Sequence, residues 1–321
     1  TTREGRPMHR IAISIPALGV TVYSFNVALA VACLAALGLT FWRARQVGIA
    51  ASTVAGLAAW LLTGGFVGAR VLYLLAHPET VHTPLDLIKV WEGGIVYYGC
   101  LIGGLIGSVI YWYRHPFPFV RMADVVAPAL ALGSAIGRVG CLLNGCCYGA
   151  VCHASWAIQF PAGSLPWARQ VDQNLISPFA GHSLGLYPTQ VLAIADGLLL
   201  LGLLTYLFPR RRRDGEIMAW LMVTYPVTRF LIECLRADEP RNIVGLTLSQ
   251  AISVVVFGAG LVAWGLLFRS PPRATQLDDR SAFEPVEGRG IVVPKLASLP
   301  QRTVRHDGSQ DLDPSPIAAA Q

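Results

Sequence analysis

Long apolar segments with few charges alternate with short polar segments along most of this chain. A helix needs about 20 mainly apolar residues to cross the hydrocarbon core of a bilayer. Segments of that length recur along the chain before residue 269, which predicts an all-α, polytopic membrane protein with about seven transmembrane helices. The predicted spans are residues 17–40, 53–76, 95–113, 123–143, 184–208, 216–235 and 245–268.

Composition supports this architecture and divides the chain into three parts. Hydrophobic residues make up 54% of the chain and charged residues only 14%, whereas soluble domains carry about 25% charge. An ordinary soluble domain, a disordered chain and a fibrous protein are therefore excluded. We expect an N-terminal arm over residues 1–14, a transmembrane domain over 15–268, and a disordered cytoplasmic tail over 269–321, where the composition turns polar.

The distribution of basic residues predicts the orientation. Short loops on the cytoplasmic side of a membrane protein are enriched in Lys and Arg. One side of the predicted bundle carries the larger set: Arg43, Arg45, Arg114, Arg121, the block 210–213, Arg269 and Arg273. The C-terminus is therefore predicted to be cytoplasmic, and the N-terminus and the 144–183 connection to lie outside. The net charge of +6 is explained by these anchors, so no nucleic-acid partner is expected.

Several charged residues fall inside the predicted spans, where a charge is costly and is a functional-site hypothesis by default. They are Arg70, Arg138, Asp196, Arg229 and Glu233. With Arg236, the outer half would hold three arginines against one carboxylate, a composition typical of a phosphate site. The alternative is internal neutralisation, in which Arg229 pairs with Glu233 and Arg70 pairs with Asp196.

Four of the seven cysteines lie within twelve residues, on the predicted outer side: Cys141, Cys146, Cys147 and Cys152. Disulfides persist in such compartments, so Cys147–Cys152 or Cys146–Cys152 are candidate pairs. A metal site with His153 as a further ligand is an alternative, although the spacing matches no common zinc or redox motif. We therefore predict no metal ligands from the spacing.

Three motifs carry a resemblance to a known family. They are GRVGCLLNGCCYG over residues 137–149, WEGGIVYYGCLIGG over 91–104, and RFLIECLR over 229–236. In this order they resemble the bacterial prolipoprotein diacylglyceryl transferases, and the similarity covers residues 15–268. The resemblance implies seven spans with an outward N-terminus in the inner membrane. It also implies transfer of a diacylglyceryl group from phosphatidylglycerol to the lipobox cysteine of prolipoproteins, without a cofactor.

The resemblance implies two sets of site residues. The candidate catalytic residues are Arg138, Arg229, Glu233, Tyr98 and Cys146. The candidate substrate-binding residues are Arg70, Gly93, Gly94, Gly99, Cys141, Asn144, Gly149 and Arg236. Tyr98 stands where the family commonly has histidine, and Cys141 and Cys146 stand where its signature has polar residues.

These substitutions leave two alternatives open. One is a catalytically altered paralogue that binds phospholipid for another purpose. The other is a membrane thiol or metal protein that uses the cysteines between Cys141 and Cys152.

Overall fold

The computed structural model describes residues 11–15, 20–78, 96–238 and 245–269. Two short strands are followed by a series of helices, with one 3-10 turn, Phe208–Arg210, continuing the sixth helix. The strands are β1 (Ile11–Ile15) and β2 (Val20–Tyr23). The helices are α1 (Ser24–Gln46), α2 (Ala51–Ala76), α3 (Tyr97–Arg114), α4 (Phe119–Asn144), α5 (Leu165–Asp172), α6 (Thr189–Leu207), α7 (Glu216–Cys234) and α8 (Leu248–Arg269).

The N-terminal segment corrects the predicted start of the first span. Strands β1 and β2 pair antiparallel, with Ile15 opposite Val20, and both are rich in β-branched residues, which favour strands. The first transmembrane helix therefore begins at Ser24 and not at residue 17. Hydropathy alone could not separate this apolar hairpin from the apolar helix that follows it.

A multi-pass membrane architecture is confirmed. Within the described residues, six helices are long and apolar enough to cross a bilayer: α1, α2, α4, α6 with its 3-10 turn, α7 and α8. They correspond to six of the seven predicted spans. The predicted span 95–113 forms α3, an 18-residue helix that packs along α2. The orientation of the termini stays a prediction.

The outward faces of these helices are covered with large apolar side chains. Leu34 on α1 is 70% exposed, Leu199 on α6 is 74% exposed and Val255 on α8 is 71% exposed. Contiguous apolar surface of this kind is unstable in water and stable against lipid tails. The exposed side chains therefore mark the lipid-facing surface of the bundle.

Glycines bring α2 and α3 into direct backbone contact. A Cβ on Gly99 would lie 2.3 Å from the carbonyl oxygen of Gly68, and one on Gly103 would lie 2.2 Å from that of Gly64. Small residues permit such close approach between membrane helices. Gly99, a predicted substrate-binding residue, thus has a packing role in this fold.

Helix α4 packs against α1, α6 and α7, and its N-terminal end carries a buried carboxylate. Asp124 is fully buried and accepts hydrogen bonds from the backbone amides of Gly215 (2.8 Å), Ile217 (2.9 Å) and Met218 (3.0 Å). The Nε of Arg211 lies 3.5 Å from the same side chain. Asp124 thereby satisfies the free amides at the start of α7.

Arg211 has a packing role in addition to the cytoplasmic anchoring that the sequence predicts for the block 210–213. It is buried and lies over the ring of Phe208. Its Nη1 also donates to the Phe208 carbonyl at 2.7 Å. One member of the basic block is therefore part of the packing between α4, α6 and α7.

The connection between α4 and α6 folds into a small unit. Isolated β-bridges join Val151 and Ile158 to Leu186, and Leu186 packs with Tyr148 and Phe160 in a separate apolar core. A further bridge pairs Gly149 with Arg236, just after α7. This contact ties the end of α4 to the end of α7, and it places the motifs of both helices at one end of the bundle.

Candidate active site

Arg229, Glu233 and Arg236 form one ion-paired cluster at the C-terminal end of α7. Arg229 and Glu233 are four residues apart and therefore share a helix face, and their side chains form an ion pair. Arg236 follows the helix and donates from Nη1 to the Glu233 carboxylate at 3.0 Å. Glu233 is almost completely buried. A single buried carboxylate is thus shared by two arginines, and the pairing of Arg229 with Glu233, considered as an alternative from the sequence, is formed.

A second carboxylate, which the sequence argument missed, completes the cluster. Asp238 binds Arg236 at two points, with Nε–Oδ1 of 2.9 Å and Nη2–Oδ2 of 3.0 Å. The predicted ratio of three arginines to one carboxylate is therefore wrong, because the structure has three arginines and two carboxylates. The spacing of Asp238 two residues after Arg236 was visible in the sequence, but only the turn after α7 aligns the two side chains.

Arg138 supplies the remaining positive charge from α4. Its half-buried side chain interacts electrostatically with Cys141, Cys147, Tyr225 and Arg236. Across the described part of the chain, no carboxylate forms an ion pair with Arg138. Arg229 and Arg236 are both neutralised by carboxylates. Arg138 is therefore the arginine of this cluster whose guanidinium group is available to an anion.

Three cysteines converge beside Arg138. The sulfurs of Cys141, Cys146 and Cys147 all lie within 4.8 Å of one another. Hydrogen bonds from the Cys141 and Cys147 thiols, with a weaker one from Asn144, lower the pKa of the Cys146 thiol. The substituted motif positions therefore form a cluster of their own and are not scattered through the site.

The disulfides considered from the sequence are not formed, since all seven cysteines are free. Cys152 was the expected partner of Cys146 or Cys147. Its sulfur instead accepts a hydrogen bond from the amide of Ala154 at 3.3 Å. His153, the other ligand considered, is not part of the cysteine cluster within the described residues.

Two buried residues at the start of α6 hold the cysteine loop in place. The hydroxyl of Thr189 donates to the carbonyl of Cys147 at 2.7 Å, and Nε2 of Gln190 donates to that of Cys146 at 2.9 Å. Neither residue was predicted to belong to the site, although both lie in the YPTQ stretch, residues 187–190. The only signal in the sequence was a pair of polar residues at the start of an apolar segment, and their burial became visible only in the structure.

Gly149 closes the site through backbone contacts. Its amide donates to the carbonyl of Tyr187 at 3.1 Å, and Ala150 donates to Leu235 at 2.8 Å. A Cβ on Gly149 would lie 2.5 Å from the Tyr187 Cβ and 2.9 Å from the Leu235 carbonyl oxygen. Only glycine fits between the end of α7 and the segment before α6, so Gly149 has a positioning role.

Gly149→Ala is expected to destabilise the protein by about 1–3 kcal/mol, the usual cost of overpacking a filled site, because backbone on both sides must move apart. Thermal unfolding in detergent measures the effect. Gly202→Ala is the matched control, since nothing lies within 4 Å of a Cβ there. Equal melting temperatures for the two variants would contradict the assignment.

The remaining predicted site residues lie partly outside the described chain. Gly93, Gly94 and the side chain of Tyr98 lie outside the described residues. Arg70 on α2 lies over the ring of Tyr73, and Asp196 on α6 accepts a hydrogen bond from Thr228 at 3.0 Å. Asn144, the last residue of α4, contacts the cysteine cluster described above.

Comparison with known proteins identifies relatives of this architecture. A family described as prolipoprotein diacylglyceryl transferase matches residues 10–266. Phosphatidylglycerol–prolipoprotein diacylglyceryl transferase 2 of Clostridium perfringens is 33% identical over 251 residues, which is 77% of this chain and 92% of that protein. The Symbiobacterium thermophilum transferase is 31% identical over 263 residues, or 81% of this chain and 93% of that protein.

A third relative is more similar over a shorter stretch. The phosphatidylglycerol–prolipoprotein diacylglyceryl transferase of Rhodopirellula baltica is 40% identical over 172 residues. The match covers 51% of this chain and 35% of the relative, so this chain spans only part of that longer protein.

Proposed function

Because this chain belongs to the prolipoprotein diacylglyceryl transferase family, we propose that it transfers the diacylglyceryl group of phosphatidylglycerol to the lipobox cysteine of prolipoproteins. We further propose that it works in the bacterial inner membrane, with the motif end of the bundle facing outward. The donor is then a lipid of the outer leaflet and the acceptor is an exported prolipoprotein peptide.

The position of Arg138 carries the proposal. Its guanidinium is half-buried at the end of α4 beside Arg236 and has no carboxylate partner among the described residues. The planar fork of arginine binds a phosphate at two points, and a charge at this depth in a membrane helix is otherwise costly. A lipid phosphate is the anion that such a position favours.

The reaction needs charge stabilisation at that phosphate. The thiolate of the prolipoprotein cysteine attacks the glyceryl carbon that is bonded to the phosphodiester oxygen. A C–S bond forms, the C–O bond breaks, and glycerol phosphate leaves with the bonding electrons. Negative charge grows on the phosphate as the bond breaks, so Arg138 and Arg229 are proposed to stabilise the transition state more than the ground state.

The carboxylates have a positioning role in this scheme. Glu233 holds Arg229 and Arg236, and the hydroxyl of Ser249 accepts a further hydrogen bond from Arg229 Nη2 at 3.1 Å. Arg236 is already bound at two points by Asp238, so it shapes the electrostatic field and leaves the direct phosphate contact to Arg138. Arg70, Cys141 and Asn144 are proposed to contact the headgroup, and Cys146 stays a candidate catalytic residue. Gly93, Gly94 and Tyr98 stay candidates on the family resemblance alone, since the two glycines and the side chain of Tyr98 lie outside the described residues.

An apolar groove between α1 and the C-terminal half of α4, the helix that carries Arg138, suits the acyl chains of the donor. The groove has a volume of about 340 Å³ and is lined mainly by apolar side chains of α1 and α4, among them Val31, Ile136 and Val139. Val139 directly follows Arg138. A lipid bound with its phosphate at Arg138 could therefore extend a chain along this groove.

Complementation tests the activity. The full chain is expressed in cells that are depleted of their own diacylglyceryl transferase, and the lipidation of a reporter prolipoprotein is followed by mass spectrometry. We expect mature, diacylglyceryl-modified reporter. If the inserted protein yields only unmodified reporter, the proposed activity is wrong.

The alternative, a catalytically altered paralogue, is favoured by the replacement of motif positions with cysteine. The same assay separates it from the transferase. Tyr98→His combined with Cys146→Glu restores the residues common in the family. If the double variant lipidates the reporter and the native chain does not, the altered paralogue is the correct assignment.

A further inference from the structure

The cysteine cluster has a chemistry that the transferase reaction does not use. Cys141 lies in the last turn of α4, and Cys146 and Cys147 follow the glycine that ends this helix. Their spacing along the chain matches no familiar metal motif, yet the three sulfurs lie within 4.8 Å of one another. The fold creates this convergence, because the chain reverses at Gly145.

The backbone of the cluster is held rigidly. Gly145 has a φ of 73° and Cys147 a φ of 59°, a region that non-glycine residues seldom adopt. Such a conformation persists when its surroundings determine it. Here the buried side chains of Thr189 and Gln190 bind the carbonyls of Cys147 and Cys146. The backbone of Cys146 and Cys147 is therefore fixed in place.

Two arginines lie near the cluster. Arg138 interacts electrostatically with Cys141 and Cys147, and Arg236 interacts with Cys147. Metals bind cysteine as the thiolate, and the positive charge of these arginines offsets the negative charge of a set of three thiolate ligands. Among the described residues, no histidine or carboxylate joins the cluster, so any ligand set here consists of sulfur alone.

We propose that Cys141, Cys146 and Cys147 bind one thiophilic d10 metal ion, Cu(I) or Zn(II). With metal–sulfur bonds of about 2.3 Å and tetrahedral angles, the sulfurs would be separated by about 3.8 Å. The observed cluster needs a contraction of no more than about 1 Å, which side-chain rotation can provide. Three thiolates complete a trigonal Cu(I) site, whereas Zn(II) would take a water molecule as its fourth ligand.

Metal titration of the full chain tests the site. The protein is purified in detergent, fully reduced and kept free of oxygen. Cu(I) is then titrated in competition with a chromophoric chelator, and Zn(II) is titrated separately against a chromophoric indicator. We expect one tightly bound ion per chain in at least one arm. Binding of Cu(I) alone indicates the trigonal site, and binding of Zn(II) indicates the site with an open position.

Serine variants identify the ligands. Cys141→Ser, Cys146→Ser and Cys147→Ser should each weaken binding by at least roughly 100-fold, since loss of even an outer-shell partner of a metal ligand costs 10–100-fold. Cys33→Ser and Cys152→Ser are matched controls and should bind as the native chain does. No tight binding in either arm, or tight binding that survives replacement of all three cysteines, would overturn the proposal.

A footprint on the native chain covers the case in which a variant does not fold. The protein is alkylated with and without one equivalent of the metal, and modified cysteines are identified by mass spectrometry. Bound metal should slow the alkylation of Cys141, Cys146 and Cys147 and leave that of the exposed Cys33 unchanged. Alkylation rates that the metal leaves unchanged at Cys141, Cys146 and Cys147 would contradict the site.

Discussion

Arg138→Ala is expected to lower the rate of diacylglyceryl transfer by about 100- to 1000-fold, the usual cost of removing one donor that stabilises a developing oxyanion. Arg138 lies beside Arg236 and, within the described residues, makes no ion pair of its own. The other two arginines are bound to carboxylates. Alanine at this position therefore removes the guanidinium group that is available to the lipid phosphate. It leaves the ion pairs of Glu233 with Arg229 and Arg236 intact.

Purified enzyme in mixed micelles of detergent and phosphatidylglycerol, with a lipobox peptide as acceptor, provides the measurement. Arg138→Lys should retain part of the activity, because lysine keeps the charge and loses the two-point contact. Arg45→Ala is the matched control, since Arg45 is exposed in the last turn of α1 and should leave the rate unchanged. A variant Arg138→Ala with native activity would remove Arg138 from the mechanism.

Glu233→Gln is expected to destabilise the protein by about 3–5 kcal/mol, the typical cost of breaking a buried ion pair by removing one partner. Glu233 is 1% exposed and binds both Arg229 and Arg236. Glutamine keeps the shape of the side chain but removes the negative charge, so two guanidinium groups lose their shared partner. The transfer rate should fall as well, because Glu233 no longer holds Arg229 and Arg236 in place.

Thermal unfolding in detergent measures the loss of stability. Glu216→Gln is the matched control at the other end of α7, where Glu216 accepts hydrogen bonds from the amides of Arg212 and Arg213. That change alters a helix N-terminus and should cost only about 1 kcal/mol. If both variants melt at the same temperature, the central role of Glu233 in the cluster is refuted.

The cluster also explains why two carboxylates are compatible with a phosphate site. Glu233 and Asp238 reduce the cost of burying Arg229 and Arg236 in a poorly hydrated region, and they fix the geometry of both side chains. The excess positive charge is then concentrated on Arg138. A site with three unpaired arginines would bind an anion more strongly, but it would also be harder to fold within the membrane.

The sequence by itself determined the features that depend on local composition. Hydropathy located the membrane spans because each helix must be apolar along its own length. The spacing of Arg229 and Glu233 made their pairing one of two alternatives, because residues four apart share a helix face. The order of the three motifs identified the family. The start of α1 was missed, since the apolar hairpin before Ser24 has the hydropathy of a membrane span.

Tertiary structure decided every feature that joins distant parts of the chain. The helix ends meet through the contacts of Gly149, which bring Arg138 of α4 to the cluster of α7. The turn after α7 aligns Asp238 with Arg236, and Gly145 reverses the chain so that three irregularly spaced cysteines converge. Such contacts depend on the directions of backbone and side chains in space, and spacing along a sequence does not specify those directions.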